Sequence, residues 1–364
     1  MKAQQFMPKR EIKFSQAILE AQDQLMTLDP NVYIIGLGAP DPKGLFGTTL
    51  GLQEKHGKDR VLDMPISENA MTGIVTGSAI MGLRPIMTHQ RVDFFLLGLD
   101  QLINNSAKWH YMFGGQNNVP IVFRLFMGRG WGQGPQHSQS LQSIFSHIPG
   151  LKVVTPSTCY NAKGLLISAI EDNNPVVFLE HRWLHSVHGE VPEKVYRVPL
   201  GKANLVSKGN DITIVSNSHM TLESWKAIKL LEKENISIEL IDLQTLIPLD
   251  KETILQSVKK TGHVIVVDPD WKTCGFSSEV LSVITEEAFD YLKKPPIRVT
   301  YPDHPCPTSW VLSNHYYPTS KDIALTVLKM MNKKTHLNSL TKDLLEQKAQ
   351  GPLDIPDSSF TGPF

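Results

Sequence analysis

The sequence is poor in cysteine, in excess charge and in long apolar runs. Its 364 residues include three cysteines, Cys159, Cys274 and Cys306, too far apart for a CxxC pair or a disulfide framework. Lys plus Arg and Asp plus Glu both number 36, which excludes a basic footprint for nucleic acid or an anionic membrane. No apolar run approaches a membrane span, and the N-terminus shows neither a signal-peptide core nor an Arg-rich transit pattern. We therefore expect a cytoplasmic protein with no nucleic-acid or membrane partner.

Apolar, β-branched runs alternate with helical patterns along the first half of the chain. Continuous apolar strands separated by helices are typical of a parallel sheet covered on both faces. The expected strands are 32–38, 119–125, 151–156 and 175–181, and the expected helices are 14–29, 68–82, 93–109 and 159–172. The pattern predicts an α/β fold with a first domain at residues 1–182.

A polar segment with prolines and no period, residues 183–202, predicts a linker before a second βα series. That series has expected strands at 211–217, 236–243, 263–269 and 296–302, and expected helices at 220–234, 250–261 and 275–292. It predicts a smaller α/β domain at 203–333, an ordinary domain size. A terminal helix from about residue 322 runs into a Lys-rich stretch, and residues 334–364 are expected to form an irregular tail.

One carboxylate, Glu68, stands before a run of small and apolar residues in DMPISENAMTGIVTGSAIMGL, residues 63–83. A local interpretation is that Ser67 caps a helix and that an acid after it suits the positive end of the helix dipole. The alternative interpretation is that Glu68 takes part in chemistry. Taken alone, this stretch favours the helix start.

The loop GRGWGQGPQHSQS, residues 128–140, follows an expected strand, where α/β proteins place their sites. It has four glycines, but their spacing matches neither common phosphate-binding motif. A phosphate cradle remains one interpretation. The pattern alone favours a surface loop that carries a solvated histidine, His137.

Other candidates for chemistry are weaker. His181, His185 and His188 have no cysteine or carboxylate at metal-ligand spacing, so we expect them at the surface. Phe94 and Phe95 stand at a helix start and are by default core residues.

Five stretches of the sequence together resemble one known family. They are 63–86 (DMPISENAMTGIVTGSAIMGLRPI), 99–124 (LDQLINNSAKWHYMFGGQNNVPIVFR), 136–158 (QHSQSLQSIFSHIPGLKVVTPST), 162–181 (AKGLLISAIEDNNPVVFLEH) and 242–250 (DLQTLIPLD). The pattern is similar to the beta subunit of the thiamine-diphosphate-dependent decarboxylating component of 2-oxo acid dehydrogenase complexes. It runs in order from about residue 10 to residue 330. The resemblance implies a transketolase-type pyrimidine-binding domain with a parallel sheet, followed by a smaller transketolase C-terminal α/β domain.

The resemblance gives Glu68 a catalytic role. In the family, this acid hydrogen-bonds the aminopyrimidine ring of thiamine diphosphate at a subunit interface. A protonated carboxyl group at the ring nitrogen favours the imino tautomer, whose nitrogen removes the thiazolium proton. Phe94 matches the aromatic residue that packs on the pyrimidine, with Ile66 and Gln90 in the same pocket. His137 matches a histidine near the active-site entrance that helps acyl transfer.

Some relatives also bind a potassium ion through carbonyl oxygens and one or two side chains. The matching positions here are Ile121, Ala169, Ile170, Asp172 and Asn174. Oxygen ligands suit a hard cation. The alternative interpretation is an ordinary helix C-terminus followed by an Asn-Asn-Pro turn.

The sequence departs from the family at three places around the substrate side. Leu37 and Gly38 replace acids through which family models run a proton relay between two active sites. The segments HQRVDF (89–94) and LFMGRG (125–130) also differ from the usual ones. The resemblance therefore does not extend to pyruvate as the substrate.

The chain lacks the GDG motif and following Asn-containing loop with which thiamine enzymes usually hold magnesium and diphosphate. The resemblance thus implies that an alpha-type subunit holds Mg²⁺ and the diphosphate in an α2β2 heterotetramer. The implied reaction is decarboxylation of a 2-oxo acid and transfer of the acyl or aldehyde unit, with a lipoyl acyltransferase core as the usual acceptor. Two alternatives stay open: a split transketolase-like enzyme that transfers a two-carbon unit, and a non-catalytic regulatory subunit.

Overall fold

A computed structural model of the chain describes residues 10–129 and 132–333. Its strands are β1 (Glu11–Lys13), β2 (Val32–Gly36), β3 (Val61–Leu62), β4 (Arg84–His89), β5 (Val122–Met127), β6 (Lys152–Val154), β7 (Val176–His181), β8 (His188–Glu190), β9 (Asn204–Ser207), β10 (Ile212–Ser216), β11 (Ile238–Asp242), β12 (Thr245–Ile247), β13 (Val264–Trp271) and β14 (Ile297–Tyr301). Its helices are α1 (Phe14–Leu28), α2 (Leu52–His56), α3 (Glu68–Ile80), α4 (Val92–Phe95), α5 (Trp109–Met112), α6 (Gln142–Ser146), α7 (Cys159–Glu171), α8 (Ser218–Leu230), α9 (Lys251–Thr261), α10 (Phe276–Ala288), α11 (Trp310–Tyr316) and α12 (Ser320–Met330). Within the described ranges, no helix combines the length and the apolar character that crossing a bilayer requires.

The first sheet has seven strands in the order β12-β6-β7-β5-β4-β2-β3. Neighbouring strands are parallel except β12, which is antiparallel to β6. Successive residues of β5 point to opposite faces, so Val122 packs in a core with α1 and α7, while Phe123 packs in a second core with α3. The sheet is therefore covered on both faces, as its continuous apolar strands predict.

The second sheet has five strands in the order β14-β13-β10-β11-β9 and is parallel except for β9. Ile214 of β10 packs with α8 and α12 on one face. Val215 packs on the other face with α9 and α10, in a core that continues into the first domain. Two α/β units thus share one apolar core, and the predicted α/β class is confirmed.

Two expectations about the first unit are wrong. Strand β4 has no counterpart among the predicted strands. Its sequence, RPIMTH, has only two apolar residues between a proline and polar ends, so it does not form an apolar run. The helix predicted at 93–109 is broken into α4, a 3₁₀ turn at Leu96–Gly98, a π-helical turn at Gln101–Ser106 and α5. The 3₁₀ turn that follows α4 ends at Gly98, a residue type of low helix propensity.

The segment at 183–202 and strand β12 connect the two units. Within that segment, β8 pairs with β1, and Val191 and Val198 are buried in the core under α1 and α7. Strand β12 follows β11 in sequence but extends the first sheet. The predicted tail at 334–364 lies outside the described residues, as do Gly130 and Trp131 of the glycine-rich loop.

Candidate active site

The carboxyl ends of β7, β5, β4 and β2 meet at one edge of the first sheet. The loops that leave these ends carry three of the predicted site residues: Gln90 and Phe94 follow β4, and His137 follows β5. Ligands of open α/β sheets bind at this edge. The candidate site is therefore built from these loops and the start of α3.

Glu68 is the first residue of α3, and only 8% of its surface is exposed. Ser67 precedes the helix, but its side chain forms no capping hydrogen bond. Within residues 10–129 and 132–333, the Glu68 carboxyl group has neither a hydrogen-bond partner nor an ion-pair partner. Although the residue as a whole is buried, both carboxyl oxygens retain contact with solvent. An acid whose unpartnered carboxyl group opens on solvent can bind a ligand, and the simple helix-cap interpretation does not account for this arrangement.

A close approach at Gly98 brings the loop after β4 against the start of α3. A Cβ atom at Gly98 would lie 2.7 Å from Thr72 Oγ1 and 3.4 Å from the Glu68 carbonyl oxygen. Thr72 Oγ1 also donates a hydrogen bond of 2.7 Å to that carbonyl. Glycine at this position therefore lets the Phe94 segment pack directly beside Glu68.

Phe94 and Phe95, both expected in the core, differ in their environments. Phe95 is fully buried, with its ring centroid 5.3 Å from that of Phe123, whereas Phe94 is 41% exposed. His137 is half-buried, and its ring lies 5.1 Å from that of Phe94 with the planes at 90°. The core prediction is thus wrong for Phe94, whereas His137 lies in a loop, as expected, but is partly covered by Phe94. The structure brings these two predicted site residues together.

Gln90 lies in the loop after β4, and Ile66 lies in the turn before α3. Gln90 is exposed, and its Nε2 donates a 3.2 Å hydrogen bond to the Leu37 carbonyl oxygen. Ile66 is 77% exposed in the turn before α3. Gly38, the second position at which the resemblance leads one to expect an acid, has φ +74°, and a Cβ there would lie 2.8 Å from Asp41 Oδ2. Any side chain at 38 would therefore be strained, so this backbone conformation favours glycine.

The five predicted potassium positions meet at the opposite edge, near the amino ends of β5 and β7. Ile121 O accepts a hydrogen bond from Val176 N at 2.9 Å, and Ala169 O accepts one from Asp172 N at 3.3 Å. Asn174 donates to Asp172 Oδ1 through its backbone N at 2.8 Å and its Nδ2 at 3.0 Å. The five positions lie near one another at this edge of the sheet, and this cluster does not adjoin Glu68.

Positive side chains already lie against the potassium positions. Arg84 Nη1 donates to Ile170 O at 3.0 Å and to Asp172 O at 3.1 Å. Lys152 Nζ forms an ion pair with the Asp172 carboxylate. Burial alone would raise the pKa of Asp172, but the bonds from Lys152 and Asn174 hold it below its ordinary value. A metal ion here would have to share these carbonyl oxygens with a guanidinium group.

Two of the three histidines expected at the surface are buried. His185 is 8% exposed and bonds Glu180 Oε2 at 3.2 Å, and His181 is fully buried as the last residue of β7. The ring of His181 stacks on that of His219, with centroids 4.7 Å apart, and burial lowers the pKa of both well below the ordinary value. His181 is buried because it ends the apolar strand β7, and His185 is buried because it directly follows the buried turn Arg182–Leu184 after that strand. His188 is exposed, as expected.

Buried acids of the second unit hold the first unit in place. Asp242, at the end of β11, accepts hydrogen bonds from Ser157 Oγ and, at 3.1 Å, from Thr221 Oγ1. Burial raises the pKa of Asp242 to about 7. Asp268 accepts a 3.1 Å bond from Gln142 Nε2 of the first unit. A cleft of about 520 Å³ lies between the two units beside His137 and is lined by Pro135, Gln136, Gln139, Trp271, Asp303, His304 and Pro305.

Several buried polar residues at the site edge escaped prediction. Arg91 and Arg182 both donate to Gln133 Oε1, and Asp93 Oδ1 accepts two hydrogen bonds from Gln139, at 2.7 and 3.4 Å. Each arginine stands directly or almost directly after a buried strand, which is the one signal that the sequence offers.

Comparison with known families and structures agrees with this architecture. Residues 10–186 match the transketolase pyrimidine-binding domain, and residues 201–323 match the transketolase C-terminal domain. A solved split-gene transketolase, an inactive beta4 tetramer, superimposes with a TM-score of 0.72 at 22% identity, over 88% of this chain and 98% of that one. The structural likeness establishes the fold.

Curated proteins give closer matches. The acetoin:2,6-dichlorophenolindophenol oxidoreductase subunit beta of Cupriavidus necator is 43% identical over 337 residues, which cover 90% of this chain and 99% of that protein. The pyruvate dehydrogenase E1 component subunit beta of Acholeplasma laidlawii is 42% identical over 321 residues, or 88% of this chain and 98% of that one. The mitochondrial pyruvate dehydrogenase E1 beta subunit of Bos taurus is 39% identical over 327 residues, which cover 88% of this chain and 91% of that protein. This chain therefore belongs to the family of beta subunits of the thiamine-diphosphate-dependent decarboxylating components of 2-oxo acid dehydrogenase complexes.

Proposed function

We propose that this chain is the beta-type subunit of a thiamine-diphosphate-dependent enzyme that decarboxylates a 2-oxo acid and passes on the acyl unit. The observation that carries the proposal is the position of Glu68, a residue only 8% exposed at the start of α3, whose carboxyl group has no partner in the described ranges. Membership of the family supports the same function, because the relatives are named as beta subunits of pyruvate dehydrogenase and of an acetoin oxidoreductase.

The residues present fit the pyrimidine side of thiamine diphosphate. Glu68 offers an unpartnered acid, Phe94 offers a ring that is 41% exposed, and Gln90 offers an exposed amide. We assign Glu68 to the pyrimidine ring nitrogen and Phe94 to the ring face. Ile66 and Gln90 border the same pocket. This assignment gives the buried acid the polar partner that the chain itself does not provide.

When bound, thiamine diphosphate supplies the acidic carbon that adds to the 2-oxo carbonyl and accepts the electrons released as CO₂ leaves. Glu68 would hydrogen-bond the pyrimidine ring nitrogen, and the low exposure of this residue would strengthen that bond by limiting competition from water. His137, held edge-on against Phe94, is placed to exchange a proton with substrate oxygen during acyl transfer. The cleft of about 520 Å³ beside His137 gives the acyl acceptor a route in, and a lipoyl group is the acceptor that we propose.

An alpha-type subunit completes the site in this proposal. We assign Mg²⁺ and the diphosphate to the partner, because this chain lacks the GDG motif and the following Asn-containing loop. Large apolar side chains around α3 are exposed, namely Ile66 at 77%, Ile74 at 60%, Met81 at 84% and Leu97 at 66%. Exposed apolar surface of this kind marks protein interfaces. We propose that the partner covers it in an α2β2 assembly.

Calorimetry with thiamine diphosphate and Mg²⁺ tests the split site, first on this chain alone and then with the alpha-type subunit. We expect binding only in the complex. Tight binding by the isolated chain would overturn the assignment of the diphosphate to the partner. Absence of binding in both cases would overturn the catalytic proposal.

Replacing Glu68 by glutamine in the reconstituted complex tests the role of the acid. We expect E68Q to lower the decarboxylation rate by about 100-fold or more, the usual scale for loss of acid–base catalysis. The matched control is E279Q, because Glu279 is also an acid in the first turn of a helix, α10, but is exposed. If both variants keep wild-type activity, Glu68 is only a helix-start acid.

Potassium binding at the Asp172 cluster is a separate proposal. The five residues Ile121, Ala169, Ile170, Asp172 and Asn174 all lie near the amino ends of β5 and β7. Each carbonyl oxygen has two lone pairs, so Arg84 leaves one on Ile170 O and one on Asp172 O for a cation. Such an ion would bind opposite the candidate active site and would act on stability.

A further inference from the structure

Three neighbouring strands of the first sheet lead into buried arginines at their carboxyl ends. Arg182 follows β7 directly, Arg129 is the second residue after β5, and Arg91 is the second residue after β4. Their exposed fractions are 3%, 4% and 6%. Because β7, β5 and β4 are adjacent and parallel, the three arginines form a row along the edge where α/β sheets bind ligands.

Arg91 and Arg182 converge on the same neutral groups. Arg182 Nη1 donates to Gln133 Oε1 at 2.9 Å, and Arg91 Nη2 donates to the same oxygen. Both guanidinium groups also lie over the ring of Phe46, at 4.8 Å for Arg182 and 5.8 Å for Arg91. Two like charges are thus held together at one amide oxygen and one aromatic ring.

The charges of this pair remain at neutral pH. Burial, with a further contribution from Arg91, lowers the pKa of Arg182 to about 8, and burial lowers the pKa of Arg91 to about 10. A guanidinium group keeps its proton under these conditions. Holding two such groups inside the protein is unfavourable unless negative charge accompanies them.

The hydrogen bonds of Arg91 go to the neutral oxygens Gln90 O, at 2.9 Å, and Gln133 Oε1, and its buried Nε has no partner in the described ranges. Asp93 supplies negative charge to both Arg91 and Arg182. Its Oδ1 accepts hydrogen bonds from Gln139, which leave that charge in place, and its buried Oδ2 has no hydrogen-bond partner in the described ranges. One carboxylate beside two guanidinium groups leaves a net positive charge, which is typical of an anion-binding site.

The position of the pair relates it to the substrate. Arg91 lies between Gln90 and Phe94, two residues assigned above to the pyrimidine pocket, and Gln133 belongs to the loop that carries His137. We propose that Arg91 and Arg182 bind an anionic group at the end of the substrate remote from its 2-oxo carbonyl. The proposal rests on the function proposed above and narrows its substrate to a 2-oxo acid with a second carboxylate or a phosphate group.

A pair of substrates of equal length tests the proposal in the reconstituted holoenzyme. 2-Oxoglutarate and 2-oxopentanoate differ only by a carboxylate in place of a terminal methyl group, and phosphonopyruvate provides a phosphate-like end group. We expect kcat/KM to favour one of the two anionic substrates over 2-oxopentanoate by about 100-fold, as for a site built to bind a charged group. Which anionic substrate is preferred distinguishes a carboxylate from a phosphate. Equal kcat/KM for all three substrates would overturn the proposal.

Substitution of either arginine should remove this preference. We expect R91M and R182M to lower the kcat/KM ratio of anionic to neutral substrate by at least tenfold, while R91K retains part of it. The matched control is R197Q, because Arg197 is exposed and paired with Glu171. If R91M and R182M keep the wild-type ratio but weaken thiamine diphosphate binding, the pair serves the cofactor and the proposal fails.

A thermal-shift measurement separates failure of this proposal from failure of the proposed function. Glutarate, added at constant ionic strength, should raise the Tm of the wild-type complex and leave the Tm of R182M unchanged. This readout needs no turnover, so it tests the anion site even if no 2-oxo acid is decarboxylated. The same shift in wild type and in both arginine variants would overturn the assignment.

Discussion

The ring of His137 meets the ring of Phe94 edge-on, with the two centroids 5.1 Å apart and the ring planes at 90°. Phe94 is 41% exposed, so this contact contributes little to the core. The contact fixes the loop after β5 against α4. Gln139 of the same loop donates two hydrogen bonds to Asp93, the neighbour of Phe94 in α4, and these bonds hold the loop in the same place. The histidine is therefore positioned by the residue that we assign to the cofactor's ring face.

Phe94→Ala should weaken cofactor binding without unfolding the protein. Loss of the aromatic surface against the pyrimidine should cost about 1.5 kcal/mol, or about tenfold in Kd for thiamine diphosphate. The Tm should change little, because Phe94 is largely outside the core. Calorimetry and thermal unfolding of the complex measure the two effects.

Phe289→Ala is the matched control for this substitution. Phe289 is a similarly exposed aromatic residue, at 66%, but it lies in the second unit after α10. Its replacement should leave the Kd unchanged. An equal change of Kd in both variants would mean that Phe94 does not contact the cofactor.

Gly128→Ala should destabilise the protein more than alanine at another glycine of similarly positive φ. Gly128 has φ +85°, and a Cβ there would lie 2.2 Å from His181 Nε2. Gly47 has φ +77° and no heavy atom within 4 Å of such a Cβ. Backbone strain should lower the free energy of unfolding by about 1 kcal/mol in G47A. The clash with the buried ring should add about 2 kcal/mol in G128A.

Urea unfolding of the two glycine variants measures this difference. Equal losses of unfolding free energy would show that the His181 ring can move aside at little cost. That result would also argue against a fixed stack of His181 on His219.

The parts of the fold that could be predicted are those with a local signal. Strands such as β7 are continuous apolar runs, and helices such as α7 have clear bounds, so their type could be read directly. Strand β4 was missed because Pro85 interrupts a short run. The helix after it was overextended because the close packing of Gly98 on α3 depends on a tertiary contact.

The candidate site, too, could be predicted only where the sequence carries a signal of its own. The role of Glu68 rests on the resemblance to a family, since its local sequence favours an ordinary helix start. Arg91 and Arg182 are far apart in the chain and meet only because the strand order places β7, β5 and β4 side by side. Hydrophobic periodicity does not predict the order of strands in a sheet. The burial of His181 and His185 could not be predicted for a similar reason, because the sequence near a strand end does not show which other elements will pack over it.

Removal of potassium should lower the stability of the protein if the Asp172 cluster binds it. An ion present at 100 times its Kd would stabilise the folded state by about 2.7 kcal/mol. We therefore expect a Tm several degrees higher in potassium chloride than in choline chloride at equal ionic strength. The expected order of Tm is potassium, sodium, choline.

Arg84→Gln provides a second arm of the potassium test. Arg84 donates to two of the carbonyl oxygens that an ion would use, at 3.0 and 3.1 Å. Loss of its charge should increase the Tm difference between potassium and choline. No difference between the salts in either protein would mean that Arg84 and Lys152 supply all the positive charge that this cluster holds.

Asp242 should make the stability of the protein depend on pH. Burial raises its pKa from 3.8 to about 7 in the folded protein. Between these values the folded state keeps a proton that the unfolded state has lost, so the stabilising contribution is complete below about pH 4 and disappears as the pH rises through 7. Asp242→Asn cannot ionise. Its unfolding free energy relative to wild type should therefore rise by on the order of 4 kcal/mol between pH 4 and pH 8.

Asp290→Asn is the control for this titration, because Asp290 is exposed in the second unit. Its stability relative to wild type should change little over the same pH range. Denaturant unfolding at several pH values gives the curves for all three proteins. A difference between D242N and wild type that does not vary with pH would contradict a neutral Asp242 at the interface. In that case, the hydrogen bonds from Ser157 and Thr221 would be strong enough to keep a buried carboxylate ionised between the two units.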